Sequence, residues 1–497
     1  MSSGEQVDLA AAAAGSRRWL ALVAMLLAAA IDLIDTTIVN VAIPSIRHDL
    51  GAGASAAEWM VAGYALAFGV GLITGSRLGD AFGRRRMFLI GVAGFMAASL
   101  LSGLAPNPEV LILGRLIQGA MAAVMVPQIL TVIQVNFVPA ERPKAYAAYG
   151  ACAAIATVSG PLIGGALVQA DLFALGWRPI FLINVVLGMV ALLATAAWLP
   201  ESRAERGQGF DLPGVGLLAL ALLLLLYPLV EGPQLGWPGW GFGLIGAAVI
   251  SFVVFVAHER RQQRQGRGPL VVLSLFTQRG FTGGVVTQLA LYAGVTGFFL
   301  VLALTLQTGF GYTALHAGLT FLPFSLGIAI SSGASGQLAP KLGRRLSIAG
   351  ALTMVLGMAI LLLTVRIAGP QPDTWALVPG LVAAGLGMGL VAPTLVDVAL
   401  SGVHRRDAGS ASGVVTTAGQ LGGAIGVAVI GAIFFDALRR HQGSEIGLAG
   451  GYSAAFSAAL YYEVGVFALA ALLMVLLPKK IQLPADAARA DTSASTA

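Results

Sequence analysis

Residues 19–43 read WLALVAMLLAAAIDLIDTTIVNVAI, and this stretch decides the fold class. A helix rises 1.5 Å per residue and needs about 20 mainly apolar residues to cross the hydrocarbon core of a bilayer. The stretch is long enough to span, yet it carries two acids, Asp32 and Asp35, three positions apart and therefore on one helix face. Each carboxylate costs about 2.5–3.5 kcal/mol near the bilayer centre on insertion scales. That face is therefore expected to look into a helix bundle or a wet cavity rather than into lipid.

The rest of the 497-residue chain extends the pattern. It is 57% hydrophobic and only 10% charged, with a mean hydropathy of +0.85, against about 25% charged residues in an ordinary soluble domain. A water-soluble fold is excluded. Gly occurs 65 times, close to twice its usual share of roughly 7%, with no collagen period, which suits helices that approach one another through small residues. Apolar windows of spanning length start near residues 19, 58, 86, 110, 145, 179, 213, 239, 281, 316, 346, 376, 410 and 457. The chain is therefore read as an all-α polytopic membrane protein with 14 transmembrane helices. A twelve-helix reading would leave the apolar runs at 213–230 and 239–257 without a place.

An even number of crossings puts both termini on one side. Of the 29 Lys and Arg residues, twenty-three fall on the side of the termini, five (Arg47, Arg178, Arg366, Arg439 and Arg440) on the other, and Arg115 lies inside the fourth span. By the positive-inside rule both termini are cytoplasmic and the chain sits in the cell (inner) membrane. The basic residues form short clusters between apolar spans, so the net charge of +6 marks topology and not nucleic-acid binding. Ser16-Arg17-Arg18-Trp19-Leu20 faintly resembles a twin-arginine signal, but the span that follows has two acids and no clear cleavage site.

Leu78, Gly83, Arg84 and Arg85 recur 260 residues later as Leu338, Gly343, Arg344 and Arg345. Spans one to six and nine to fourteen thus read as two copies of a six-helix bundle, the usual transporter plan with a site between the halves. The division expected is a cytoplasmic tail (1–18), an N-terminal bundle (19–200), a linker with two extra helices (201–268), a C-terminal bundle (269–478) and a second tail (479–497).

Arg115 is the only basic residue well inside a span. Asp35 lies roughly 12 Å from the outer end of span one and Arg115 roughly 9 Å from the outer start of span four, so the two match in depth. A carboxylate that alternates between burial and a cation can load and release a proton. The competing roles are a structural ion pair for the acids and snorkelling to the interface for Arg115. Gln118, one turn beyond Arg115, shares its face and is a candidate lining residue of the substrate cavity, as is Glu463 in span fourteen. Gly160-Pro161-Leu162-Ile163-Gly164-Gly165 in span five is either a gating hinge, since Pro161 removes a helical hydrogen bond, or a site of tight packing. Asp397 is expected to pair with Arg405 or Arg406, and Glu231 to lie in the outer loop after span seven.

Ile34 through Pro44 resembles the first-helix motif of the fourteen-helix drug:proton antiporters of the major facilitator superfamily. Leu78 through Arg86 resembles the superfamily's loop 2-3 motif, Leu111 through Gly119 its fourth-helix proton motif, and Gly160 through Gly165 its antiporter motif. Trp177 through Asn184 and Ala317 through Pro323 are similar to further stretches of this branch. The resemblance runs from about 19 to 478. It implies the major facilitator fold, two six-helix bundles plus two inserted central helices. It also implies that Asp35 and Arg115 take part in proton coupling, and that Asp80 and Arg84 belong to an inner charge latch favouring the outward-facing state, beside the further gating candidates Gly83 and Arg85. Three departures stand out: Ser76 and Ala81 replace a Gly and a basic residue of the loop motif, and Ala156 replaces a Gly before Gly160. Asp32 is an acid the pattern does not require, and it marks a second proton site or a site for a cationic substrate.

No phosphate loop is present, because Lys144, Lys341, Lys479 and Lys480 lack the preceding Gly. There is no Gly-x-Ser-x-Gly elbow or His-Glu-x-x-His pair either, so an enzyme is not expected. Cys152 is the single cysteine and the five histidines lie far apart, giving no metal or redox framework. The expected function is proton-coupled export of amphipathic, cationic drugs or toxic metabolites by alternating access. The proton gradient is the energy source, no cofactor or ATP site is required, and the partners are a small molecule, protons and lipid around a monomer. The alternatives are a dedicated exporter of one metabolite or antibiotic, a proton-coupled importer, and a transporter-like sensor.

Overall fold

The computed structural model describes all residues except 1–2, 139–140, 204–210, 268, 370–371, 401–402, 404–407, 442–446, 476 and 478–497. Among the described residues the elements are fourteen long helices and short helical turns. The helices are α1 (Ser3–Leu50), α2 (Ala54–Phe82), α3 (Arg84–Gly103), α4 (Pro108–Asn136), α5 (Arg142–Ala170), α6 (Pro179–Trp198) and α7 (Leu212–Leu235). They continue with α8 (Gly239–Arg264), α9 (Arg279–Leu304), α10 (Ala314–Leu342), α11 (Arg344–Ala368), α12 (Thr374–Leu400), α13 (Ala408–Arg440) and α14 (Gly447–Val475). Each holds a stretch long and apolar enough to cross a membrane.

Local sequence sets the boundaries. Asn107 caps α4 by accepting from the Val110 amide at 2.9 Å, with Pro108 at the first helical position. Gly83 ends α2 with φ 106°, and its repeat partner Gly343 ends α10 with φ 51°. In both, the glycine amide closes the last turn and an arginine opens the next helix. Two expectations shift. α14 begins at Gly447, ten residues before the window predicted near 457, and Glu231 lies in the last turns of α7 rather than in a loop. In each case Gly, Ser or Glu lowered the local hydropathy without breaking the helix.

α1 to α6 pack among themselves, as do α9 to α14; the two groups meet along α2 with α13 and α5 with α10. Small residues make the closest approaches. A Cβ on Gly75 of α2 would stand 1.9 Å from the Ala123 carbonyl oxygen of α4, and one on Gly426 of α13 would stand 1.9 Å from that of Ala293 in α9. α7 lies against both α2 and α13, straddling the seam, while α8 packs mainly on α7.

Contacts between the groups run from mid-depth to the end away from the basic loops. Thr417 donates to the Gly69 carbonyl at 3.1 Å near mid-depth. Beyond it, α9 passes into a π-helical turn (Thr305–Gly309) from which Gln307 donates to the Val41 carbonyl of α1 at 2.7 Å.

Candidate functional site

The polar centre of the molecule lies inside the first group of helices. Asp35 on α1 is completely buried, as are Arg115 and Gln118 on α4, Asn184 on α6 and Ser99 on α3. A charge in such surroundings persists only with a partner and further hydrogen bonds. Asp35 has both: Arg115 donates to Oδ2, Asn184 donates to Oδ1 at 2.6 Å and Gln118 to the same oxygen at 3.2 Å. Arg115 is held in turn by the Met60 carbonyl and the Gln118 Oε1, each at 3.0 Å. Gln118 also donates to Ser99 at 2.8 Å. The depth match read from the sequence therefore brings Asp35 and Arg115 into direct contact, and Arg115 does not snorkel.

Asp32 occupies a separate position. Its Oδ1 accepts from the Tyr64 hydroxyl, and the Arg115 guanidinium lies 4.4 Å from the centre of the Tyr64 ring. The two acids are thus linked through one aromatic ring and one cation, in the order Asp32, Tyr64, Arg115, Asp35. Tyr64, Ser99 and Asn184 were not singled out in the sequence. Asn184 alone had a signal, as the last residue of the conspicuous Trp177–Asn184 stretch.

The glycines of α5 serve two contacts. Cβ atoms on Gly160 and Gly164 would meet Thr37 and Ile38 of α1 at 1.8 and 2.6 Å, whereas one on Gly165 would stand 2.6 Å from the Ala314 carbonyl oxygen of α10. Gly318 of α10 returns the contact, 2.4 Å from the Pro161 carbonyl oxygen by the same construction. Pro161 lies within a helix that continues on both sides.

At the basic end, Arg84 pairs with Asp80 one turn back at 2.8 Å. Glu201, after α6, accepts from the amides of Arg85 and Arg86 at 3.1 Å each, satisfying the start of α3. Arg85 itself reaches the Ala196 carbonyl. All these partners belong to the first helix group, so in this conformation the latch residues are tied within it. In the second copy Arg344 reaches the carbonyls of Val475 and Leu477 at the end of α14, the kind of contact that Arg85 and not Arg84 makes to α6 in the first, and Pro340 stands where Asp80 would recur.

Gln118 and Glu463 do not line an open cavity here. Gln118 is enclosed with Asp35, and Glu463 is fully buried against Gly294 and Phe467, both carboxylate oxygens lacking a hydrogen-bond partner. With α14 starting at Gly447, Glu463 lies roughly 24 Å along the axis from the helix start. Asp397 is exposed on α12; its expected partners Arg405 and Arg406 lie outside the described residues, as does the 479–497 tail.

One cluster was invisible in sequence. Asp211 caps α7 through the Gly214 amide at 3.0 Å and meets His258 Nε2 at 2.7 Å, while Glu259 accepts from the Val271 amide at 2.9 Å. Donor atoms of Asp211, His258 and Glu259 all lie within 4.8 Å of one another. Burial pushes the Asp211 carboxyl up, but hydrogen bonding with Glu259, His258 and the Gly214 amide outweighs it and holds the group below its usual range.

A sequence model of the Major Facilitator Superfamily matches residues 25–427. The chain belongs to this superfamily of membrane transporters. Among its relatives, a protein of Streptomyces coelicolor described as a probable actinorhodin transporter is 43% identical over 85% of this chain and 73% of its own. The puromycin resistance protein pur8 of Streptomyces alboniger is 35% identical over 92% of this chain and 90% of its own. Superfamily architecture is also evident in three dimensions. A bacterial homologue of the human lysosomal transporter Spinster superposes with a TM-score of 0.68 at 16% identity, covering 93% of this chain and 96% of that one. Membership makes the chain a multi-pass membrane transporter and not an enzyme.

Proposed function

We propose that this superfamily member is a proton-coupled exporter of amphipathic, cationic drugs or toxic metabolites, working as a monomer in the cell membrane with both termini in the cytoplasm. The observation that carries the reading is the buried Asp35–Arg115 pair with Gln118 and Asn184 on the same carboxylate. Such a carboxylate has one way to change charge in the dark of the bundle, which is to accept a proton. A proton arriving from outside on Asp32 or Asp35 weakens the hold on Arg115 and accompanies release of the substrate, as the halves rock about the midplane. The gradient contributes about 2.3 kcal/mol per charge per 100 mV in addition to its pH component. The antibiotic transporter and resistance protein among the relatives support export.

With the basic end in the cytoplasm, contacts from mid-depth to the far end correspond to a conformation closed outside. The Asp80–Arg84 pair then belongs to a latch that engages the other half when the inside closes.

Proteoliposomes with an imposed pH gradient test the coupling, after a panel of dyes, quaternary amines and antibiotics has identified a substrate by resistance. Asp35→Asn is expected to abolish uphill flux; full gradient-driven flux in that variant refutes the assignment. Cysteine labelling at position 264 from outside would overturn the orientation. A second reading, dedicated export of a single antibiotic, draws on the 43% identical relative, and a response to one compound of the panel alone would favour it.

A further inference from the structure

α8 is the most peripheral helix of the molecule. Only 22% of its spanning window is enclosed, the smallest share among the fourteen spans, and its main partner is α7. Its last turns divide into two faces. His258, Glu259 and Gln262 turn inward to Asp211 and Val271. Arg260, Arg261 and Arg264 turn outward and are exposed, as is Arg267 just beyond the helix. None of the four has an acidic partner among the described residues.

These arginines continue an apolar stripe. Val253, Ala257, Arg260 and Arg264 follow the three-to-four-residue spacing of one helix face. Phe252 and Val253 are 50% and 61% exposed, and Phe252, Val253, Val256, Arg260, Arg261 and Arg264 line one surface groove. Arg260 lies roughly 10 Å along the axis from Val253. The groove is therefore apolar at hydrocarbon depth and tricationic where that depth ends. Loop arginines that serve topology alone have no need to align with an apolar groove.

We infer that the outer face of α8 is a binding site for an anionic phospholipid of the surrounding bilayer, its phosphate held by Arg260, Arg261 and Arg264 and its acyl chain laid along Phe252, Val253 and Val256. Arg guanidinium groups suit phosphate through paired N–H donors, and basic clusters at the inner end of a spanning helix attract anionic headgroups. The site is independent of the transported substrate and of proton coupling. Because α7 touches both halves of the transporter, a lipid clamped on α8 holds the helix pair that straddles the seam.

The test uses the full chain in nanodiscs of phosphatidylcholine with phosphatidylglycerol, read by native mass spectrometry and thermal shift. Wild type is expected to retain phosphatidylglycerol at least about fivefold over phosphatidylcholine and to melt higher with it, both effects falling as salt rises. The variant R260Q/R261Q/R264Q should lose the preference, whereas R203Q/R279Q/R345Q, with the same charge removed elsewhere, should keep it. No preference in wild type, or equal loss in both variants, overturns the site. Inorganic phosphate alone should not raise the melting temperature; if it does, the site is for phosphate and not for lipid. Should the triple variant fail to insert, a bimane at Ala257→Cys in a Cys152→Ser background serves instead. Brominated phosphatidylglycerol should quench it more strongly than brominated phosphatidylcholine, and equal quenching overturns the proposal.

Discussion

Asn184 on α6 donates to Asp35 Oδ1 on α1 at 2.6 Å, so the acid on which the proposed coupling turns is held from α4 and α6 together. A hydrogen bond to a charged group contributes about 1.5–3 kcal/mol, so Asn184→Ala is expected to lower gradient-driven flux roughly ten- to hundredfold. Substrate binding without a gradient should change much less. Flux in proteoliposomes beside equilibrium binding separates the two effects, and unchanged flux would remove Asn184 from the coupling site.

Arg115→Ala leaves a buried carboxylate with no cation, and breaking such a pair costs about 3–5 kcal/mol. We expect a marked fall in melting temperature and yield. Asp35→Asn combined with Arg115→Gln should recover much of the stability while remaining uncoupled, since both charges are gone. Fluorescence-detected size exclusion with heating measures the first effect, and pH-gradient flux the second. A double variant no more stable than Arg115→Ala would mean that the charges were not what destabilised it.

Gly165→Ala places a Cβ 2.6 Å from the Ala314 carbonyl oxygen across the seam, nearer than backbone tolerates. The halves should part at that end. Crosslinking between Val41→Cys and Gln307→Cys, built where Gln307 now reaches the Val41 carbonyl, is expected to drop severalfold when Gly165→Ala is added. Undiminished crosslinking would show that the seam absorbs the methyl.

The Asp211 carboxyl is held below its ordinary 3.8. A carboxyl depressed in the folded state stabilises above its unfolded pKa and loses that contribution as pH falls through the folded value. The α7–α8 clasp is therefore expected to hold from pH 7 down to pH 5 and to weaken below about pH 4. Melting temperatures across this range should fall more steeply in wild type than in Asp211→Asn at the acid end; parallel curves would exclude Asp211 as the source.

Glu463 is enclosed with both oxygens unpartnered, which costs about 1–3 kcal/mol or more. Glu463→Leu should therefore raise the melting temperature. A fall would mean that the carboxyl has a partner in another conformation that contributes more than the burial costs.

Much of this molecule was legible along the chain. Hydropathy windows found the spans because a bilayer demands about 20 apolar residues for each crossing, a constraint that acts on every helix separately. The Gly83–Arg84 and Gly343–Arg344 turns exposed the repeat because a positive φ and a charged turn are local requirements. Depth counting paired Asp35 with Arg115 because rise per residue is fixed, and both sit on regular helices. The start of α14 and the helical position of Glu231 were misread for a related reason: hydropathy reports where lipid begins, not where hydrogen-bonded backbone ends.

What tertiary structure alone decided is which side chains from different helices share one carboxylate. Asn184 and Gln118 meet Asp35, Ser99 meets those two amides, and Tyr64 meets Asp32, only because α2, α3, α4 and α6 rotate their polar faces toward α1. Rotation about a helix axis is set by packing against neighbours, which no single span encodes. The same holds for Asp211 and Glu259, 48 residues apart in the chain and joined where α7 and α8 close. The acids of residues 19–43 were thus kept away from lipid by their charge, which the sequence alone required. Their separate partners, Arg115 for one and Tyr64 for the other, were fixed by the bundle.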